Sequence, residues 1–364
     1  MITSSKCTLN IDLKIIKENY NILRLMCPNA EIGAAVKANC YGLGVERISH
    51  LLKDLSCKHF FVANLEEGVN LRDILGFDIN IYVLNGVFLD ETKIFREYNL
   101  VPILNHLAQI KIWQDFARKT GNLLPSVIHF DTGMNRLGMP SFESDMLTSD
   151  DTKGLNILCV MSHLVASEEP HSPHNKIQLE KFIRLAKKFP LAKKSLANSS
   201  GIYLNSDYHF DIIRPGGALY GINPRPYNND SMIKNPISLY APIIQIHRLL
   251  PSESAGYNAT HTNLTENNCI IATIPIGYAD GIFRSLGNKL NVYINEYSVP
   301  VIGRISMDLA IIDVSLVPAK HLFLGQKVEI LGPRCSPDEM AMLAGTNTYE
   351  ILTRLGDRFE RIYT

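Results

Sequence analysis

The sequence of 364 residues lacks three patterns, each of which would define a class of protein. No apolar run approaches the ~18 residues of a membrane-spanning helix. The seven cysteines are scattered and form no CxxC pair, which argues against a disulfide framework and against a zinc site. Lys+Arg and Asp+Glu both number 36 and no basic stripe is visible, so we expect no nucleic-acid partner. Because the first six residues lack an apolar signal core, we expect a cytoplasmic protein.

Length and composition indicate a globular protein of two domains. Hydrophobic residues make up 46% of the chain and charged residues 20%, which is too apolar for disorder. A chain of 364 residues exceeds the usual size of one domain. A net charge of zero favours self-association, and hence an oligomer.

Short apolar runs alternate with stretches of helical periodicity in the first part of the chain. Eight runs have the pattern of strands: 31–38, 59–64, 80–86, 100–105, 125–131, 155–163, 194–200 and 210–216. Eight repeats of strand and helix predict an α/β fold, a TIM-like (β/α)8 barrel over residues 1–235. A doubly wound open sheet is the alternative.

After residue 236 the pattern changes to strands, with few helices before Pro337. This part predicts a C-terminal mainly-β domain over residues 236–364. Residues 223–230 are rich in Pro and Asn, which favour turns, and we expect them to form the linker.

Lys37 follows a buried-strand pattern, where a lysine is costly unless it is neutralised, paired or used covalently. In a barrel of this type the chemistry lies where strands end and βα loops begin. A lysine that reaches solvent from the end of a strand is one interpretation. The other is a Schiff-base lysine, a desolvated amine next to a bound carbonyl.

Polar turns follow the seventh and eighth predicted strands, at 198–201 (NSSG) and 214–217 (RPGG). These two loops frequently form a phosphate site in a (β/α)8 barrel, although each alone could be an ordinary turn. A phosphate site opposite a Schiff-base lysine indicates pyridoxal phosphate. Gly42-Leu43-Gly44 is a weak match to a dinucleotide motif, because Arg47 stands where its third glycine would be.

Six motifs resemble the alanine racemase family and occur in its order over both predicted domains. They are 35–42 (AVKANCYG), 131–138 (DTGMNRLG), 214–221 (RPGGALYG), 276–281 (IGYADG), 303–308 (GRISMD) and 349–353 (YEILT). The resemblance implies a pyridoxal-phosphate enzyme that interconverts L- and D-alanine and supplies D-alanine for peptidoglycan. It also implies a head-to-tail homodimer with shared active sites.

The resemblance also assigns roles to individual residues. Lys37 would hold the cofactor and act as one base, and Tyr257 would be the opposing base in the other subunit's barrel. The cofactor would be surrounded by Tyr41, His163, Asn198, Ser199, Arg214, which faces the pyridine nitrogen, and Gly216. Arg136 and the Met307 amide would hold the substrate carboxylate. Two bases are what racemisation needs, because a proton leaves one face of a carbon and arrives on the other.

The chain departs from the family at several positions. Many relatives carry a carbamylated lysine that orients the arginine, where this chain has His129. We expect a bound anion such as chloride, or an Asn or Asp side chain, to position Arg136 instead. Leu43 and Leu196 stand where histidines are common, and Ser306 replaces a cysteine. These changes bear on rate and pKa more than on the type of reaction.

Three rival functions remain open at this point. One is a racemase of broader or different specificity, for serine or lysine. A decarboxylase of basic amino acids is a second, although that family uses a cysteine where this chain has Ser306. The third is a non-catalytic pyridoxal-phosphate carrier, which would be a single barrel without the β-rich half.

Overall fold

The chain folds into two compact units. The computed structural model describes residues 6–227 and 231–364. Residues 1–5, and residues 228–230 of the expected linker, lie outside the described residues. The barrel unit comprises Ile16–Cys40 and Val45–Ile233, and the β-rich unit comprises the residues up to Ile15, Tyr41–Gly44 and Lys234–Thr364.

The barrel unit contains a parallel sheet of eight strands in the order β8-β7-β6-β5-β4-β3-β2-β9. The strands are β2 (Glu31–Ala35), β3 (His59–Val62), β4 (Asn80–Val83), β5 (Leu100–Leu104), β6 (Leu124–His129), β7 (Leu155–Met161), β8 (Lys193–Ser195) and β9 (Ile212–Ile213). β9 returns to pair with β2, and backbone hydrogen bonds from Arg214 to Ala197 and from Asp211 to Lys194 connect β9 with β8. The predicted barrel is confirmed, and the open doubly wound sheet is wrong.

Seven α-helices accompany these strands. They are α1 (Leu13–Met26), α2 (Val45–Asp54), α3 (Leu65–Leu75), α4 (Thr92–Glu97), α5 (Leu107–Thr120), α6 (Ser141–Met146) and α7 (Pro173–Ala186). Inside the barrel unit lies a cluster of buried side chains from the strands: Phe61, Tyr82, Val101, Ile103, Val127, Cys159, Met161 and Ile212. This filled interior leaves the ends of the strands as the places where polar side chains can gather.

The β-rich unit contains a nine-stranded sheet in the order β11-β14-β17-β16-β15-β18-β10-β1-β19. Its strands are β1 (Thr8–Ile11), β10 (Ile237–Pro242), β11 (Gln245–Leu249), β14 (Cys269–Ile274), β15 (Asn291–Ile294), β16 (Tyr297–Ile302), β17 (Ala310–Asp313), β18 (Lys327–Leu331) and β19 (Glu360–Tyr363). A small hairpin, β12 (Ser254–Ala255) and β13 (His261–Thr262), and two helices, α8 (Pro337–Ala344) and α9 (Thr348–Thr353), complete the unit. The predicted mainly-β domain is confirmed as a fold class.

The strand β1 belongs to this second sheet. It pairs antiparallel with β10 and parallel with β19. Residues 8–11 therefore lie outside the barrel, although the domain predicted over residues 1–235 includes them. A four-residue strand with partners far along the chain carries no local pattern that reveals this pairing.

Within residues 6–227 and 231–364, no helix is long and apolar enough to cross a membrane. The same residues contain no group of three or more His, Cys, Asp or Glu side chains that could hold a metal ion. All seven cysteines are free thiols.

Candidate active site

Lys37 lies two residues beyond β2, with its side chain half-buried at the carboxyl end of the barrel. The backbone before it is fixed, because Val36 N–H donates to Phe61 O at 2.9 Å and Ala35 N–H donates to Pro215 O at 2.9 Å. Burial lowers the pKa of the Lys37 amine, and the nearby Arg136 guanidinium lowers it further. A lowered pKa increases the uncharged fraction of the amine, which is the nucleophilic form.

A left-handed turn follows Lys37 directly. The φ angles of Ala38, Asn39, Cys40 and Tyr41 are 51°, 53°, 51° and 57°. Each such L-residue costs roughly 1–2 kcal/mol, so the surroundings must hold the turn in place. The Glu67 carboxylate accepts from Ala38 N–H and from Ala63 N–H, both at 2.7 Å.

Sequence reasoning missed Glu67. A partial signal was present, because Asn64 caps α3 and Glu67 stands three residues later, as in a capping box. Glu67 Oε2 accepts from the N–H of Ala63, the residue before the cap, while Oε1 accepts from the N–H of Ala38, the residue after Lys37. That second contact could not be read from the local sequence.

The loops after β8 and β9 meet at Ser199, which is buried. Ser199 Oγ accepts from Gly216 N–H at 3.0 Å and from Ala218 N–H at 3.2 Å. In the same loop, Asn198 Oδ1 accepts from Gly201 N–H at 2.8 Å and from the Ser167 hydroxyl at 2.9 Å. Because its oxygen accepts from two backbone amides, the Ser199 hydroxyl keeps its own proton to donate, and such a donor in the loops after the last two strands suits a phosphate.

Arg214 is 6% exposed and donates to a hydroxyl and to carbonyls. Its guanidinium donates to Ser195 Oγ at 2.5 Å, to Ser162 O at 2.6 Å and to Leu196 O at 3.5 Å. Burial lowers the pKa of Arg214 to about 10. None of the ion pairs that the structure describes neutralises this charge, so the end of the barrel favours an anionic ligand.

Two histidines lie among these cations. The pKa of His163 lies well below its usual value because of burial and the charges of Arg214 and Arg136, and the pKa of His129 falls to about 3, mainly through burial. Both imidazoles are therefore neutral near pH 7. The positive charge at this end of the barrel comes from Lys37, Arg136 and Arg214.

His129, the last residue of β6, is held by Asn105, which directly follows β5. His129 Nδ1 lies 2.8 Å from Asn105 Oδ1, and Asn105 Nδ2 donates to Leu84 O at 3.0 Å and to Ile103 O at 2.9 Å. Because the amide NH2 is used by these carbonyls, its oxygen faces the imidazole and His129 Nδ1 is the donor. Asn105 thus orients His129. That an anion, or an Asn or Asp side chain, positions Arg136 stays a prediction.

We expect the protein to lose stability as the pH falls below about 6.5, in part because of His129. The unfolded chain takes up a proton near pH 6.5, whereas folded His129 resists protonation down to a pKa of about 3. In that window this one group should lower the free energy of unfolding by up to about 1.4 kcal/mol per pH unit. Urea unfolding at a series of pH values measures the slope.

The variant His129→Gln should flatten that slope, whereas His171→Gln, at an exposed position, should leave it unchanged. Equal slopes for His129→Gln and the parent protein would contradict the assignment. The comparison uses slopes because either substitution can shift stability uniformly at every pH.

Arg136 lies exposed on a loop between β6 and α6. The Asp131 carboxylate orders the start of this loop by accepting from Gly133 N–H at 2.8 Å and Met134 N–H at 2.9 Å. Met139 N–H closes the loop by donating to His129 O at 2.7 Å. The loop therefore presents a guanidinium from a fixed base at the carboxyl end of β6.

Tyr41, Tyr257 and Met307 belong to the β-rich unit, and the other predicted site residues belong to the barrel unit. Tyr257 is 67% exposed and Met307 is 53% exposed. Their turns pack together through backbone, because a Cβ built on Gly256 would lie 3.3 Å from Arg304 N and 3.6 Å from the Gly303 Cα. The turns that carry Tyr257 and Met307 are therefore neighbours on exposed loops of one unit.

Arg358 stabilises the Met307 turn by joining it to the turn that carries Asp280. It bonds Asp280 through Nε and Asp308 through Nη1, both at 2.7 Å. Ala279, next to Asp280, also contacts the Met307 turn, because its N–H donates to Met307 O at 2.9 Å. Within the described chain the Met307 N–H has no acceptor, so it can donate to a ligand.

The residues at the barrel end fit pyridoxal phosphate. The set contains an amine of lowered pKa, the Ser199 hydroxyl and the buried cation Arg214. These groups match an aldehyde, a phosphate and an electron-rich ring nitrogen respectively. The site is therefore that of a cofactor-dependent barrel enzyme.

Comparisons with known proteins agree with this class. The family model "Alanine racemase, N-terminal domain" matches residues 11–224, and "Alanine racemase, C-terminal domain" matches residues 236–363. An alanine racemase from Rickettsia canadensis is 51% identical over 362 residues, with 99% of each chain covered.

Solved structures give the same result. The alanine racemase from Bartonella henselae, whose crystal structure carries covalently bound pyridoxal phosphate, superposes with a TM-score of 0.94 at 35% identity, covering 99% of this chain and 100% of that one. The biosynthetic alanine racemase from Pseudomonas aeruginosa gives 0.88 at 30% identity, with the same coverage. The chain belongs to the alanine racemase family.

Proposed function

We propose that the protein interconverts L-alanine and D-alanine with pyridoxal phosphate as its cofactor and with two bases on opposite faces of the substrate. The observation that carries the proposal is the meeting of the Lys37 amine, the buried Arg214 and the Ser199 loop at one barrel end. The covalently bound cofactor of the Bartonella henselae relative supports the same assignment.

Residues that follow the barrel strands would bind and orient the cofactor. Ser199, Asn198 and the Gly216 amide, together with Tyr41, would bind its phosphate, while Lys37 would bind its aldehyde carbon. His163 would pack beside the ring. Arg214 has only donors, so beside the ring nitrogen it would favour the unprotonated form of that nitrogen. Bound pyridoxal phosphate supplies an electron sink for the negative charge that develops at the substrate α-carbon.

Two groups would move the α-proton. Lys37 Nζ takes or delivers it on one face, and the phenol of Tyr257 of the partner subunit does so on the other. Arg136 would bind the substrate carboxylate, together with the N–H of Met307 of the partner subunit.

A homodimer with shared sites is part of the proposal. Tyr257 and Met307 lie on exposed turns that pack against each other. Leu309 and Tyr278, whose N–H donates to Ser306 O, are also partly exposed. Exposed aromatic and apolar groups of this kind are typical of an interface. We place the enzyme in the cytoplasm, where free cysteines stay reduced, with D-alanine for peptidoglycan as its product.

Solvent-deuterium exchange tests the reaction and the substrate together. The purified protein, supplied with pyridoxal phosphate in D2O, should place deuterium at the α-carbon of both alanine enantiomers and convert each into the other. Serine and lysine in the same panel should exchange at least about tenfold more slowly, because a pocket for a methyl group excludes longer side chains. Faster exchange with either would contradict alanine specificity, and no exchange with any amino acid would contradict the proposal.

A further inference from the structure

The segment Gly42-Leu43-Gly44, which follows Tyr41, is packed closely against the end of the chain. Gly42 and Gly44 have φ angles of 85° and 104°, which favour glycine. A Cβ at Gly42 would overlap Leu352 O, and one at Gly44 would overlap the Tyr363 hydroxyl. The two glycines, which resemble part of a dinucleotide motif in sequence, therefore serve close backbone packing.

Arg361, in β19, fixes this segment. Its Nε and Nη2 donate to Gly42 O at 3.2 and 2.9 Å. Nη2 also donates to Leu355 O at 3.3 Å and to Gly356 O at 3.0 Å. The side chain is 14% exposed, so one guanidinium joins the backbone of residue 42 to the turn after α9 in a mostly buried position.

Tyr363, two residues later on the same strand, makes the next contact along the segment. Its hydroxyl donates to Leu43 O at 2.9 Å. Residues i and i+2 of a strand share a face, so Arg361 and Tyr363 act on consecutive carbonyls from one side. The strand is itself anchored, because Leu9 pairs with Arg361 and Thr364 N–H donates to Ile11 O at 3.1 Å.

The segment controls where Tyr41 lies. Tyr41 has a left-handed backbone, which an aromatic residue does not hold by local preference. The rings of Tyr41 and Tyr349 lie with centroids 6.0 Å apart, and Tyr349 stands on the same helix, α9, as Leu352. The contacts to residues 42–44 thus fix the backbone directly after one ring and beside the helix that carries the other.

We propose that Arg361 and Tyr363 are positioning residues for Tyr41, and through it for the phosphate of the cofactor. The inference rests on the proposed function, in which Tyr41 binds that phosphate. Neither side chain touches the cofactor or the reacting atoms in this scheme. Substituting either residue should therefore lower the affinity for the phosphorylated cofactor. Binding through the aldehyde should be unchanged.

The test compares two probes on the full-length apoprotein by titration calorimetry: pyridoxal phosphate and pyridoxal, which lacks the phosphate. Arg361→Ala should lower the affinity for pyridoxal phosphate by about tenfold or more. Tyr363→Phe, which removes one hydroxyl, should lower it by about fivefold. Pyridoxal affinity should stay within about twofold of the parent protein in both variants. Arg334→Ala is the matched control, because Arg334 pairs with Glu329 at 3.3 Å in the same unit, and both affinities should be unchanged.

The outcomes separate the inference from the proposed function. Parent-like affinity for pyridoxal phosphate in Tyr363→Phe, or an equal loss for both probes, would overturn the positioning role. Tyr363→Phe decides the matter if Arg361→Ala fails to fold. If the parent protein binds pyridoxal phosphate no more tightly than pyridoxal, the proposed phosphate site is absent and both proposals are overturned.

Discussion

Replacing Lys37 by alanine should abolish racemisation in both directions, by about 10⁴-fold or more. The substitution removes one of the two proposed bases and the amine that would hold the cofactor. A coupled assay for D-alanine from L-alanine, and the reverse, measures the loss. Borohydride reduction followed by peptide mass mapping should locate the cofactor at residue 37 in the parent protein and at no residue in Lys37→Ala.

The control variant is Lys58→Ala, at an exposed lysine just before β3. It should keep full activity and the adduct at residue 37. Lys37→Ala should still bind pyridoxal phosphate non-covalently, because Ser199 and the Gly216 amide are untouched. An adduct at another lysine, or substantial racemisation without Lys37, would show that the amine has been assigned to the wrong residue.

Replacing Tyr257 by phenylalanine should slow racemisation by about 10²–10⁴-fold, because one face of the α-carbon loses its base. Lys37 remains, so the variant should still exchange the α-proton of one alanine enantiomer with solvent, with retention of configuration. Proton NMR in D2O follows each enantiomer separately. Tyr297→Phe, a tyrosine in β16 of the same unit, is the matched control and should behave as the parent protein.

Mixing the two inactive variants tests whether the sites are shared. In a head-to-tail dimer of Lys37→Ala with Tyr257→Phe, one site carries both substitutions and the other carries neither. Random assembly should therefore restore about a quarter of the parent activity on co-expression. If Tyr257 served the barrel of its own chain, every site would carry one substitution and no activity would return.

Much of the barrel could be predicted from the sequence because its signals are local. Apolar runs at 59–64 and 100–105 correspond to β3 and β5, and the stretch of helical periodicity after the second of these runs corresponds to α5. The run at 31–38 was drawn too long, since β2 ends at Ala35 and a left-handed turn begins after Lys37. Ala, Cys and Tyr do not favour that conformation, so nothing in residues 38–41 apart from Asn39 indicated it.

The candidate site could be predicted only as far as residues follow strands in order. Lys37, Ser199 and Arg214 do follow strands, and the structure places them at the carboxyl ends of β2, β8 and β9. Glu67 and Arg361 act through contacts with residues 29 and 319 positions away along the chain. Such pairings come from tertiary packing, and a single sequence carries no periodic signal for them. The chemical roles of these residues, and of Tyr257, Met307 and Arg136, remain predictions.

The position of β1 between β10 and β19 has a consequence for biosynthesis. The ribosome releases β1 first and its two neighbours long afterwards, so a nascent chain carries an unpaired strand with both edges open for most of translation. β1 can take up both of its pairings only after β19 has left the exit tunnel. A chain truncated before β19 would therefore leave one edge of β1 permanently without its partner.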